Sequence, residues 1–244
     1  MLRATTIKTL LRQFSLFFAI AYAVALSAAP APDGWPDPGK HSPSWEKRNS
    51  QLNKRAERGG INVLFLGDSI THAWETAGKK VWNEKIAPLG AANFGISGDT
   101  APDVLYRLKN GNLAAATNPK VIVLMIGTND NAKGRKPAGT TWAIGEVIKE
   151  IRSSRPKAKI LLLAVFPRGR YPRHALRVRN AKTNTLLAKL ADQKTVFFKD
   201  IGPVFLEPDG SLSKNIMPDF LHLSEEGYKR WADAVLPEIK KLLK

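Results

Sequence analysis

Val63-Leu64-Phe65-Leu66-Gly67-Asp68-Ser69-Ile70-Thr71 is the stretch from which the rest of the chain can be read. Four consecutive apolar residues stop abruptly at Gly-Asp-Ser. A run that is apolar at every position, rather than at alternate ones, suits a strand buried on both faces, as in a parallel sheet between helices. Residues 121–126, 160–166 and 196–198 have the same character, and 91–94 form a weaker fifth candidate nearer an edge. Between these runs lie amphipathic segments. Ile144, Val147, Ile148 and Ile151 recur at helical spacing, and Thr100-Ala-Pro-Asp103 has the form of a capping box. The final segment places Tyr228, Trp231, Ala232, Val235, Leu236, Ile239, Leu242 and Leu243 on one stripe. Glu225 and Glu226 sit favourably at its positive end, and Pro237 should bend it by removing a backbone donor. Alternating strand and helix predicts an open α/β sandwich, in which sites form beyond the carboxyl ends of the strands.

The 244 residues make one ordinary domain with a little to spare. Hydrophobic residues at 43% and charged residues at 24% argue for a packed core rather than disorder. Cysteine is absent, which excludes a disulfide scaffold, a thiolate zinc site and a cysteine nucleophile. Four histidines, His41, His72, His174 and His222, make a histidine-rich metal centre a poor expectation, so no metal is assigned. Residues 1–28 read as an export signal cleaved near residue 28: Arg3, Lys8 and Arg12 precede an apolar run, and small residues follow it. That run is shorter than the roughly 20 residues of a membrane span. Removing it takes three basic residues and lowers the formal charge from +17 to +14. An exported, strongly basic protein points to an anionic surface such as a cell envelope or acidic polysaccharide, or to solubility alone, rather than to nucleic acid. Residues 29–60 read as a Pro- and Gly-rich tether followed by a lead-in helix opened by Ser42-Pro43, with Trp45, Leu52 and Ala56 on one face. Residues 61–244 then form the domain.

The strand ends carry the chemistry. Gly67-Asp68-Ser69 follows the first run, Gly95-Ile96-Ser97-Gly98-Asp99-Thr100 the second, and Gly127-Thr128-Asn129-Asp130 the third. Pro218-Asp219-Phe220-Leu221-His222 precedes the last helix. In a parallel sheet all four can converge on one crevice. A serine hydroxyl becomes a useful nucleophile when a positioned base takes its proton, and imidazole suits that role near neutral pH. A carboxylate fixes the imidazole's tautomer, and backbone or amide N–H groups stabilise the oxyanion. Ser69, His222, Asp219, Gly98 and Asn129 supply these parts. Each also has a structural reading: helix cap for Ser69, turn residues for Gly98 and Asn129, and a local hydrogen bond for the Asp219–His222 pair.

These blocks resemble those of the SGNH (GDSL-like) hydrolase family. The similarity is closer still to the platelet-activating-factor acetylhydrolase catalytic-subunit group, through Leu64–Ser69, Asn93–Thr100, 107–111, 167–169 and 219–223. The resemblance implies a flavodoxin-like three-layer α/β/α sandwich with a five-stranded parallel sheet and no cofactor. It implies Ser69 as nucleophile, His222 as base and Asp219 as its orienting partner. The oxyanion hole it implies consists of the Ser69 and Gly98 N–H groups and the Asn129 amide. Ser97 and Asp130 depart from that group, which tends to have glycine and asparagine there. The expected activity is hydrolysis of short-acyl, acetyl-type esters of a small molecule, carbohydrate or lipid, through an acyl-enzyme. The alternatives are a lysophospholipase-like or longer-acyl esterase, acyl transfer to a sugar or thiol, and a weakly catalytic surface-binding protein.

The remaining histidines and aromatics have plainer readings. His72 should lie at the rim, pointing away from the Ser69 hydroxyl, while His41 belongs to the tether. Trp74 and Trp82 read as packing residues. The basic run from Arg168 to Lys182, with His174 inside it, reads as a solvated loop and helix face, or else as a border of the crevice that attracts anions.

Overall fold

A computed structural model describes residues 41–244. The expected export signal over 1–28, and the tether as far as residue 40, lie outside the described residues. Five strands form one all-parallel sheet: β1 (Val63–Gly67), β2 (Ala91–Gly95), β3 (Val121–Met125), β4 (Lys159–Leu163) and β5 (Val196–Lys199). Their order is β2-β1-β3-β4-β5, so the weakly apolar 91–94 run does occupy an edge. The order reverses beside β1, whose neighbours are β2 and β3. A crevice outside the carboxyl ends opens at such a reversal.

Strand residues alternate between two buried faces. Val63, Phe65, Val121, Val123, Met125, Leu161 and Leu163 join a core with Trp74, Tyr228, Trp231, Val235 and Ile239. The last four of these belong to α7 (Glu225–Leu243), the final amphipathic helix, which Pro237 does not end. Against the opposite face, α3 (Ala101–Arg107), α5 (Pro137–Ser154) and α6 (Ala175–Leu187) pack side by side. The result is a three-layer α/β/α sandwich. Trp74 packs tilted against Trp231, with ring centroids 4.9 Å apart, and Trp82 lies edge-on to Phe65 at 5.3 Å, so both tryptophans serve the core. Ahead of the sheet, α1 (Pro43–Glu57) is capped by Ser42, whose Oγ accepts from the Trp45 N–H, and it buries Trp45, Asn49, Leu52 and Ala56. His41 is not part of a free tether. Its ring stacks on Trp45 at 3.5 Å and bonds Asp103 at 3.0 Å.

The fourth apolar run stops being a strand at Leu163, three residues before its end. Val165 exchanges both its backbone hydrogen bonds with the Asn184 side chain, and Phe166 O accepts from Asn180. Side-chain amides of α6 thus replace the sheet ladder, which keeps the segment buried while it turns toward the crevice. Among the described residues, no helix is long and apolar enough to cross a membrane.

Candidate active site

Ser69 opens α2 (Ser69–His72), a single helical turn directly after β1. The turn's cap is Asp68 rather than the serine: its Oδ1 accepts from the Ile70 N–H at 2.9 Å. At the end of the turn, Gly95 leaves no room for a side chain, since a Cβ there would lie 2.2 Å from the His72 nitrogen. On the other side, the Tyr228 hydroxyl donates to Ile70 O at 2.6 Å. Strand, glycine and α7 together fix the direction in which Ser69 faces.

The Ser69 Oγ lies 2.9 Å from His222 Nε2, across 153 residues of sequence. His222 Nδ1 lies 2.6 Å from Asp219 Oδ2, while Asp219 Oδ1 accepts from the Leu221 and His222 N–H groups at 3.0 and 2.7 Å. Burial alone would raise the Asp219 pKa, but the bonds from His222 and these N–H groups outweigh it and hold the carboxyl below its usual range. An ionised carboxylate only accepts, so Nδ1 carries the proton and Nε2 is free to accept from the serine hydroxyl. Phe220, between the two, has φ +59°, a left-handed conformation costly for a bulky residue. Its N–H donates to Met217 O at 2.9 Å and its carbonyl accepts from the Gly169 N–H at 2.8 Å, which holds the loop in that shape.

Gly98 and Asn129 stand beyond the neighbouring strand ends. Gly98 is exposed, with φ +87°, a conformation open to glycine at little cost. The Asn129 amide donates one hydrogen to Asp99 O at 2.9 Å and has a second to give. Asp99 itself is buried and anchors this loop. Its Oδ2 accepts from Arg107 Nε at 2.8 Å and its Oδ1 from Trp45 Nε1 at 2.6 Å. Arg107, fully buried, also donates to Asn112 Oδ1 at 2.7 Å and to Gly67 O at 3.1 Å. One guanidinium thus ties the end of β1 to the Gly98 loop and α1. Burial raises the Asp99 pKa to about 6 against the pull of Arg107 and Trp45.

From residue types alone Asp68, Asp99 and Arg107 carry no role, and Arg168 belongs to a basic run that reads either as a solvated face or as a border of the crevice. A charged residue on the inner face of the 101–107 helix, one turn after Val104, was the available signal for Arg107. The basic run itself divides. Arg168 is half-buried and donates to Thr128 Oγ1 at 3.1 Å, with its charge acting on both Asp68 and Asp219. Arg177 is buried and donates to the carbonyls of Gly169 and Gly210, both at 2.5 Å. Arg179 bonds Asn131 O at 2.7 Å, whereas Arg170, Arg173 and His174 are exposed. The solvated-face reading therefore holds only for part of the run. His72 lies at the rim as expected, with Nδ1 3.0 Å from Ser97 Oγ.

Asp68 gives a testable pH signature. It is wholly buried, and among the described residues its Oδ2 has no hydrogen-bond partner. Burial pushes its pKa up to about 7, against the Ile70 N–H and aided by the charges of Asp99 and Asp130. The folded state therefore keeps this proton over a range where the unfolded chain has released it. The contribution to stability falls as pH rises from about 4 to about 7, by up to about 1.4 kcal/mol per pH unit, and then levels. Asp68→Asn removes that loss, so its melting temperature relative to wild type should climb between pH 5 and pH 8. Parallel melting curves across that range would contradict the assignment.

Residues 65–230 match the model of the GDSL-like Lipase/Acylhydrolase family. The chain is 40% identical over 184 residues to the platelet-activating factor acetylhydrolase IB subunit alpha2 of Rattus norvegicus, covering 75% of this chain and 77% of that one. It is 37% identical over 167 residues to the corresponding alpha1 subunit of Bos taurus, covering 68% and 69%. The fold is shared with an acetylxylan esterase from Geobacillus stearothermophilus, at a TM-score of 0.59 and 20% identity, over 74% of this chain and 94% of that one.

Proposed function

The chain belongs to the GDSL-like lipase/acylhydrolase family and is a carboxylic ester hydrolase; on that premise we propose that it is a serine esterase that removes short acyl groups, acetyl above all, through an acyl-enzyme on Ser69. The observation that carries this reading is the unbroken path from the Ser69 hydroxyl to the His222 imidazole to the Asp219 carboxylate, at 2.9 and 2.6 Å. The preference for acetyl is supported by the names of its relatives, an acetylhydrolase and an acetylxylan esterase.

In the first step Ser69 Oγ attacks the ester carbonyl while His222 Nε2 takes its proton. The C–O bond to the alcohol then breaks, and the alcohol leaves with that proton. In the second step His222 takes a proton from water, whose oxygen attacks the acyl carbon; the bond from that carbon to Ser69 Oγ then breaks, His222 returns the proton to Oγ, and the acid leaves. Both tetrahedral intermediates place negative charge where the N–H groups of Ser69 and Gly98 and the second Asn129 amide hydrogen can receive it. Asp219 holds the imidazole in the required tautomer and stabilises its charged form. The basic surface and the N-terminal sequence support a protein exported past the cytoplasmic membrane, acting near an anionic envelope or polysaccharide.

Two measurements test this reading. Nitrophenyl esters from acetyl to octanoyl should give kcat/KM falling steeply with chain length; rising values would favour the longer-acyl, lysophospholipase-like alternative. Asn129→Ala should lower kcat roughly 10²–10³-fold, with KM little changed. An unchanged kcat would remove Asn129 from the oxyanion hole.

A further inference from the structure

Arg168 stands two residues beyond the buried Phe166, where the fourth apolar run leaves the core for the crevice. Its side chain is half-buried, and Nη1 donates to Thr128 Oγ1 at 3.1 Å and, more weakly, to Thr128 O at 3.4 Å. Thr128 opens α4 (Thr128–Ala132), the single turn that carries Asn129. The residue after Arg168, Gly169, donates its N–H to Phe220 O at 2.8 Å, inside the loop that carries Asp219 and His222. We propose that Arg168 is a positioning residue of the esterase: through Thr128 it sets the direction of the Asn129 amide, working from a backbone fastened to the His222 loop. The proposal rests on the esterase reading above and on the oxyanion hole assigned there.

The far end of α4 is anchored without Arg168. Asp130 Oδ2 accepts from the Ala101 N–H at 3.0 Å, and Asn131 Nδ2 donates to Asn180 Oδ1 at 2.9 Å and to Thr183 Oγ1 at 3.0 Å. The near end is held differently. Its cap is Gly127, at φ +127°, which has no side chain with which to grip the turn as a serine or aspartate would. Thr128 is buried, and its hydroxyl meets the Arg168 guanidinium. Removing that donor takes the partner from a buried hydroxyl and frees the start of the turn. Asn129 comes next. One of its amide hydrogens is given to Asp99 O at 2.9 Å, so the aim of the other depends on where the turn begins. A donor aimed off line is worth much less, because hydrogen bonds weaken steeply with angle.

The guanidinium acts from a fixed base. Arg177 Nε donates to Arg168 O at 3.3 Å, and Arg177 Nη2 to Gly169 O at 2.5 Å. Gly169 has φ +76°, which lets the chain turn at once toward Phe220. Residues 168 and 169 therefore touch the turn that carries the oxyanion donor on one side and the loop that carries the base on the other. The charge of Arg168 also faces the Asp68 and Asp219 carboxyls, which supports the ionised guanidinium against its partial burial.

The test is a double-variant cycle on nitrophenyl acetate, with kcat and KM read separately and a thermal melt for each protein. Arg168→Met should lower kcat about 30-fold with KM within about twofold, as expected when a donor is misdirected and no binding contact is lost. In the Asn129→Ala background the same change should cost less than about fivefold, since the amide it directs is gone. Thr128→Val removes the acceptor at nearly equal size and should behave alike in both backgrounds, so the result does not hang on the folding of one variant. A kcat unchanged in both Arg168→Met and Thr128→Val, a loss confined to KM, or a further loss above about fivefold in Asn129→Ala would overturn the proposal. Full kcat in Asn129→Ala alone would instead overturn the oxyanion hole beneath it. The two failures are therefore distinguishable.

Discussion

Replacing Ser69 by alanine is expected to lower kcat for ester hydrolysis by roughly 10⁴–10⁶-fold, the range seen when a nucleophile acting in concert with its base is removed. Ser69 Oγ is the hydroxyl hydrogen-bonded to His222 Nε2, and its removal leaves the base without the nucleophile it serves. The substitution should leave stability within about 0.5 kcal/mol, since the half-buried hydroxyl bonds His222, itself partly exposed, and among the described residues no buried partner is orphaned. Steady-state kinetics on nitrophenyl acetate, paired with a thermal melt, measures both. His222→Ala should fall in the same range, and the double variant should be no worse than either single one, because the two residues work as a unit. A tenfold loss only, or additive losses in the double variant, would mean that hydrolysis takes another route.

The second large effect is on stability. Arg107→Met should destabilise the domain by about 3–5 kcal/mol, the cost of breaking a buried ion pair and stranding its partner. The guanidinium is wholly buried and serves Asp99, Asn112 and Gly67 at once. Without it the Asp99 carboxyl, already raised to about 6 by burial, would rise further and hold its proton at neutral pH. For a domain of this size the melting temperature should drop by roughly 10 °C. Urea denaturation checks the free energy directly. Arg107→Lys keeps the charge but cannot reach three acceptors from one planar fork, so it should fall between wild type and methionine. A loss below about 1 kcal/mol for Arg107→Met would show that the network is not what fixes the Gly98 loop.

How far the sequence carries depends on the range over which each residue acts. The strands were legible because five short apolar runs end on glycine or turn residues, a local signal. The β4 run was over-read by three residues because its continuation is held by Asn180 and Asn184, whose role appears only once α6 is packed against it. Ser69, Gly98, Asn129, Asp219 and His222 stood out because their residue types match one reaction and each lies at a strand end or before the last helix. Asp68 did not, although it adjoins Ser69. Its raised pKa comes from burial and from Asp99 and Asp130, 31 and 62 positions away in the chain. Arg168 and Arg177 looked alike in a run of basic residues, yet one faces the crevice and the other is consumed by backbone carbonyls. His41 read as tether because its partners, Trp45 and Asp103, are supplied by two different helices.

The most direct test of the central claim is covalent capture of the nucleophile. The intact mass of the protein after exposure to a fluorophosphonate should show a single adduct, and peptide mapping should place it on Ser69. The adduct should be absent from Ser69→Ala and much slower to form in His222→Ala. Labelling at another residue, or none at a concentration that supports ester turnover, would contradict a Ser69 acyl-enzyme.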